Sequence, residues 1–357
     1  MKELQKIAER LMRIPAVPYH EAAVRDEAVA IGREHGLPSE IDRFGNLLLS
    51  INQNATGVPL VLAAHLDHPG FVIRSKSGPT EYIAELLGGV PDEYIHAETK
   101  LRLMPGAKDG WIAAKARQPK CWRIRSGEPL AAKPLYAVWE LTDFESCGDQ
   151  ITGRACDDLI GAASALTTLI RLKQRRFRGR VIGAISRAEE VGFQGALAMA
   201  AGRSLPRESM VISLETSREL PPVKMGQGVI IRVGDRTSVF DSEATRFLTE
   251  TAAGLQQRNP GFKFQRALMS GGTCEATAYQ EYGFRTGAVC VALGNYHNCT
   301  PTQTIGPEYV SVQDALSMTE FLIEAALQMK NYARLVSKLP TRLRGYLREA
   351  RLKLAAT

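Results

Sequence analysis

Residues 59–67 read PLVLAAHLD, a continuous apolar run that stops at His65 and Asp67. A strand buried on both faces of a parallel sheet has this texture, because neither face needs polar residues to meet water. Outward from it, residues 47–51 (LLLSI) read as a shorter strand after a turn at Gly45-Asn46. Residues 3–13 and about 20–35 space their apolar side chains as helices do. Beyond Gly153 strands and helices alternate. LIGAASALTTLIRLK (159–173) is helical, RVIGAIS (180–186) a strand and GFQGALAMAA (192–201) a helix. MVISLET (210–216) is a strand, SEATRFLTETAAGLQQR (242–258) a helix, TGAVCVAL (286–293) a strand and SVQDALSMTEFLIEAALQM (311–329) a helix. This order predicts an α/β fold, a mostly parallel sheet sandwiched by helices.

Between the two α/β stretches the texture changes. FVIRS, TEYIAEL, TKLRLM, GWIAAKA and LYAVWELT are short alternating segments punctuated by Gly, Pro and Asp. They predict five or six strands in a small barrel or sandwich. Residues 118–134 (QPKCWRIRSGEPLAAKP) read as a mobile loop that interrupts it, and WRIR at 122–125 as β-domain packing plus solvated charge. The expected organisation is a catalytic domain over 1–70 and 151–330, an inserted β-barrel domain over 71–150 that serves dimerisation or substrate access, and a basic tail over 331–357.

Hydrophobic residues are 45% and charged residues 23% of 357, a globular composition that excludes a disordered or fibrous chain. No run of about 18 apolar residues suggests a membrane span. The start, MKELQKIAERLMRIPA, lacks the apolar core of a signal peptide. Six scattered cysteines without a C-x-x-C pair read as reduced thiols in a cytoplasmic protein. The formal net charge of +7 has a single location. Residues 330–357 hold eight basic side chains and one acid, and the remaining 37 basic and 37 acidic residues cancel. The body is neutral, which argues against a nucleic-acid-binding core. The tail itself, with Leu335, Leu339, Leu343, Leu347 and Leu354 among arginines and a break at Pro340, reads as a terminal helix or a contact for another copy or an acidic surface.

Ligand sites in open α/β sheets lie beyond the carboxyl ends of the strands. Here those ends carry His65 and Asp67, then Glu189 and Glu190, then Glu215, then His297, while Asp157 and Asp158 open the helix that follows the β insertion. Taken singly, such residues are surface pairs, helix caps or solvated acids. Gathered at one edge, two histidines and several carboxylates are the donor set of zinc, cobalt or manganese. Two divalent ions are balanced by Asp157, Glu190, Glu215 and a bridging hydroxide, the usual hydrolytic arrangement. Asp157 is the best bridge, with His65 and Glu215 on one ion and Glu190 and His297 on the other. Glu189 is then free to act as general base. Asp67 can fix the tautomer of His65, and Asp158 does similar work or caps its helix.

These stretches resemble the co-catalytic zinc metallopeptidases, and within them the tetrahedral (glutamyl and deblocking) aminopeptidase family. The resemblance rests on IPAVPYHEAAV (14–24), DRFGN (42–46), AHLDHPGFV (64–72), Lys108–Gly110, CDDLIG (156–161), AEEVGFQGA (188–196), SGGTCEA (270–276) and Tyr296-His297. It implies a zinc-exopeptidase-like fold and the same roles for His65, Asp157, Glu190, Glu215, His297 and Glu189. It also implies dimer-based homo-oligomers, often dodecamers. Three positions depart from the family pattern: Glu215 stands where Asp is usual, Leu159 replaces the arginine of Asp-Asp-Arg, and His68 replaces an acid after His-x-Asp. His68 is either a substrate contact or a plain surface histidine.

The function expected is a dinuclear metal-dependent exopeptidase that takes the N-terminal residue from short peptides through a metal-bridging water activated by Glu189. Glu215 keeps a carboxypeptidase or an N-acyl amino-acid amidohydrolase open, and the tail keeps a non-catalytic scaffold open.

Overall fold

The structure, a computed structural model, describes residues 2–355. Four parallel strands form its centre, in the order Val181–Ser186, Leu60–His65, Met210–Arg218, Arg285–Gly294. Antiparallel strands extend both sides: Leu47–Ile51 and Ser39–Ile41 on one, Glu308–Ser311, Gln150–Gly153 and Glu145–Cys147 on the other. Val229–Gly234 pairs antiparallel with Arg285–Gly294 and parallel with Phe264–Leu268, completing eleven strands.

The central strands are buried on both faces, as the apolar run at 59–67 requires. Alternate residues serve different cores. Leu60, Leu62 and Ala64 pack with the helices Lys2–Met12, Leu159–Gln174 and Val312–Gln328. Val61 and Ala63 pack on the opposite face with Ala196, Met199, Ala278 and Tyr279 of the helices Gln194–Gly202 and Glu275–Glu281. Three long helices start on side-chain caps, at Asp158, Asp241 and Ser311.

The inserted segment is a closed six-stranded barrel, in the order Gly70–Lys76, Glu81–Leu87, Cys121–Ser126, Lys108–Lys115, Lys100–Met104, Tyr136–Trp139. One stretch differs from the sequence reading. Residues 118–134 are not a single mobile loop, because Cys121–Ser126 is a barrel strand paired on both sides. Its alternation explains why: Trp122 and Ile124 point into the barrel core, while Arg123 and Arg125 face water. The flanking Pro, Gly and Lys concealed a six-residue strand. Tyr136 joins barrel to sheet domain, donating its hydroxyl to the Pro15 carbonyl at 3.0 Å.

In the tail, Pro340 does not break a helix. It sits in the first turn of Lys338–Leu354, where a missing N–H costs nothing, and a short helix, Tyr332–Val336, precedes it. Among the described residues no helix is long and apolar enough to cross a membrane.

Candidate metal centre

Parallel register brings the strand ends level. Ser186 lies beside His65, and Ser213 beside Ala63, so Glu215 emerges two residues later at the same rim. The Glu189-Glu190 turn follows Ser186, Asp157 precedes its helix, and His297 sits in the short turn after Gly294. Two donor clusters result: His65, Asp157 and Glu215, and Asp157, Glu190 and His297, each with its donor atoms within 4.8 Å of one another. Asp157 belongs to both. Its two oxygens face different histidines, Oδ1 at 3.5 Å from Nε2 of His65 and Oδ2 at 3.8 Å from Nε2 of His297. Nε2 of His297 stands 3.3 Å from Glu190, and Oε2 of Glu189 stands 4.0 Å from Nε2 of His65.

Each ring is held by its far nitrogen. Nδ1 of His65 meets the main-chain oxygen of Asp67 at 3.0 Å, and Nδ1 of His297 meets the carbonyl of Gly89 at 3.0 Å. A carbonyl only accepts, so Nδ1 carries a proton and Nε2 is the nitrogen turned toward the acids. Gly89 follows a barrel strand, so the inserted barrel sets the tautomer of a histidine in the other domain.

The Asp67 side chain works differently from the sequence expectation. Its carboxylate is 3.8 Å from His65 Nδ1, and instead accepts the backbone N–H groups of Glu189 at 2.9 Å and Glu190 at 3.1 Å. It fixes the turn that presents both glutamates. Burial pushes its pKa up to about 7. His68 is a buried residue, not a surface one, with its ring nitrogens against the Asp157 carbonyl at 3.0 Å and the Asn298 side-chain oxygen at 2.9 Å. Asp158 caps its helix through the Gly161 N–H at 3.1 Å.

Glu308 escaped the sequence reading. It is fully buried and accepts three backbone N–H groups, from Cys156 at 2.8 Å, Asp157 at 3.0 Å and His297 at 2.9 Å. It thus ties together the main chains of two donors 140 residues apart in the chain. An isolated acid at the start of a short strand carries no local signal of this role.

The electrostatics call for cations. Asp67, Asp157, Asp158, Glu189, Glu215, Glu275 and Glu308 are buried, and Glu190 is partly so. Arg232 is the buried arginine lining the same cavity. Burial, then neighbouring carboxylates, pushes Glu189 well above the usual carboxylate range and Glu215 up to about 8. Against the effect of burial, Glu190 and Asp157 raise His297 to about 9. One oxygen each of Asp157, Glu190 and Glu215 is buried without a hydrogen-bond partner among the described residues. Orphaned carboxylate oxygens beside two histidine Nε2 atoms are a donor set that fits divalent ions, which would replace the protons the acids otherwise hold on the rings. The residues open onto a cavity of about 220 Å³, also lined by Arg218, Met269, Thr273 and Tyr296.

Residues 133–305 match the family of M42 glutamyl aminopeptidases. Among solved structures, the chain is similar to the TET aminopeptidase of a marine-sediment Thaumarchaeota archaeon, with TM-score 0.77 and 19% identity over 93% of this chain and 99% of that one. It is likewise similar to the Pyrococcus horikoshii TET1 peptidase, which can assemble into a tetrahedron or a large octahedral shell, with TM-score 0.76 and 20% identity over 90% and 99%. An aminopeptidase from Desulfurococcus kamchatkensis matches with TM-score 0.76 and 19% identity over 91% and 94%. At these identities the structural likeness is one of fold. Together they support a hydrolase of peptide bonds that is similar to the glutamyl, or tetrahedral, aminopeptidases over residues 133–305.

Proposed function

We propose that the protein is a dinuclear metal-dependent exopeptidase that removes the N-terminal residue of short peptides. The observation that carries this reading is the pair of donor clusters sharing Asp157 in one cavity. His65, Asp157 and Glu215 would hold one divalent ion, and Asp157, Glu190 and His297 the other. The mixed nitrogen and oxygen donors favour zinc, with cobalt or manganese also suited. Bound there, the ions supply Lewis acidity toward the scissile carbonyl and acidify water at neutral pH.

Glu189 takes the proton from the attacking water and returns it to the leaving amine. Its position supports that role: it lies 4.0 Å from His65 but in neither donor cluster, and Asp67 holds its main chain. The raised affinity of Glu189 for a proton suits a group that must both accept and donate one. We read the chain as a cytoplasmic, dimer-based homo-oligomer, up to a dodecamer. Its six cysteines are free, which suits a reducing compartment.

Metal analysis after reconstitution with zinc or cobalt tests the centre. Close to two ions per chain are expected, and none would end the proposal. A second reading rests on Glu215, whose longer side chain is the carboxypeptidase and N-acyl deacylase pattern. A panel of amino-acid anilides, N-blocked amino acids and C-terminal substrates separates the two: cleavage of the anilides alone supports the aminopeptidase.

A further inference from the structure

The tail helix leaves the body at a clamp. Leu335 and Val336 are buried in the main core, Arg246 donates to the Val336 carbonyl at 3.0 Å, and Lys338 pairs with Glu250 at 2.7 Å. Beyond it the helix Lys338–Leu354 runs for 17 residues without one buried side chain. Most of its apolar residues are nonetheless arranged, with Leu352, 74% exposed, the exception on the side of Arg348. Leu339, Leu343, Tyr346, Leu347 and Ala350 recur at intervals of three and four, the spacing of one helical face. Leu343, Tyr346 and Leu347 are 52%, 57% and 50% exposed. On the same helical spacing, Arg344 and Arg351 border the stripe on one side and Arg342 and Lys353 on the other, with Arg348 opposite.

A helix surrounded by water gains nothing from an apolar stripe, since exposing that area is unfavourable. The charge distribution says what would cover it. The whole net charge of +7 lies in residues 330–357, with Glu349 their one acid, and the body is neutral. A second copy therefore offers this helix no net opposite charge, since its own excess is an equally positive tail. The complement of a stripe flanked by arginines is a surface that is anionic on top and apolar just beneath, which is the geometry of a bilayer interface.

We propose that the terminal helix docks the protein on anionic phospholipid bilayers. It lies in the plane of the interface, with Leu343, Tyr346 and Leu347 toward the acyl chains and the arginines among the headgroup phosphates. Co-sedimentation of the full chain with vesicles is the test, using phosphatidylcholine alone against phosphatidylcholine mixed with phosphatidylglycerol. Binding is expected to the mixed vesicles only, and to weaken as salt rises. Leu343→Asp with Leu347→Asp should abolish it. Each of Arg344→Gln and Arg351→Gln should weaken it about fivefold. All four replace residues outside the core, so the sedimentation coefficient without vesicles should match the parent. Equal binding to neutral vesicles, or no binding to either, overturns the proposal. So does tight binding to a soluble polyanion such as tRNA that the leucine changes leave intact, or a change of oligomer size in the leucine variant with no vesicle binding in the parent.

Discussion

The acidic rim and the tail helix each concentrate charge of one sign, and they treat it in opposite ways. Eight acids crowd the rim; eight basic side chains occupy residues 330–357. In the rim every carboxylate is out of water and must be answered by a backbone N–H, a histidine or a cation, because an unanswered buried charge costs several kcal/mol. Asp67 and Glu308 are answered by N–H groups, five between them. Asp157, Glu190 and Glu215 each keep an oxygen that is not. Along the tail helix beyond Lys338 the charged side chains are exposed to water, and it is the exposed leucines that are left over. Charge density in a sequence therefore says little until burial is known: the buried cluster asks for cations, the exposed one for an anionic, apolar surface.

Four experiments break or sharpen this contrast, from the largest expected effect to the smallest. Chelation of the purified protein should abolish hydrolysis, and added zinc or cobalt should restore it; activity that survives a strong chelator would separate the rim from the reaction. Glu189→Gln should retain the metal content of the parent while kcat falls by about 10²–10⁴; unchanged turnover would remove Glu189 as the base. Glu308→Gln should weaken metal binding by about ten- to a hundredfold, read by titration calorimetry, since it leaves backbone N–H groups around Asp157 and His297 short of an acceptor. The same change should cost about 1–3 kcal/mol in urea unfolding. In the tail, Arg348→Ala should move unfolding free energy by no more than about 0.5 kcal/mol, because the side chain is exposed and far from the core. A larger loss there would mean that the tail is packed as the rim is.

Most of the rim was legible because its residues sit where apolar strands end. His65 and Glu215 lie in the closing residues of strands whose hydrophobic runs announce themselves, Glu189, Glu190 and His297 follow such strands, and Asp157 and Asp158 precede an unbroken apolar helix. What was not legible works through the main chain. Glu308 binds backbone N–H groups, Gly89 offers a carbonyl, and Asp67 turns its side chain away from His65 toward two amides. Backbone groups are the same at every position, so no residue pattern marks them. The barrel strand Cys121–Ser126 was hidden for a different reason, its alternation being only six residues long and flanked by loop-forming residues.

The order of apolar runs in the chain announced the parallel sheet, the inserted β unit and the acids and histidines at the strand ends, because periodicity and strand ends are local properties. Where those side chains meet was decided in three dimensions: register levelled the strand ends, the barrel loop fixed His297, and Glu308 joined Asp157 to His297 across a gap in sequence that local chemistry cannot span. The same division holds for the tail. Its charge and leucine spacing are written in the chain, but only the packing of the body leaves that helix bare.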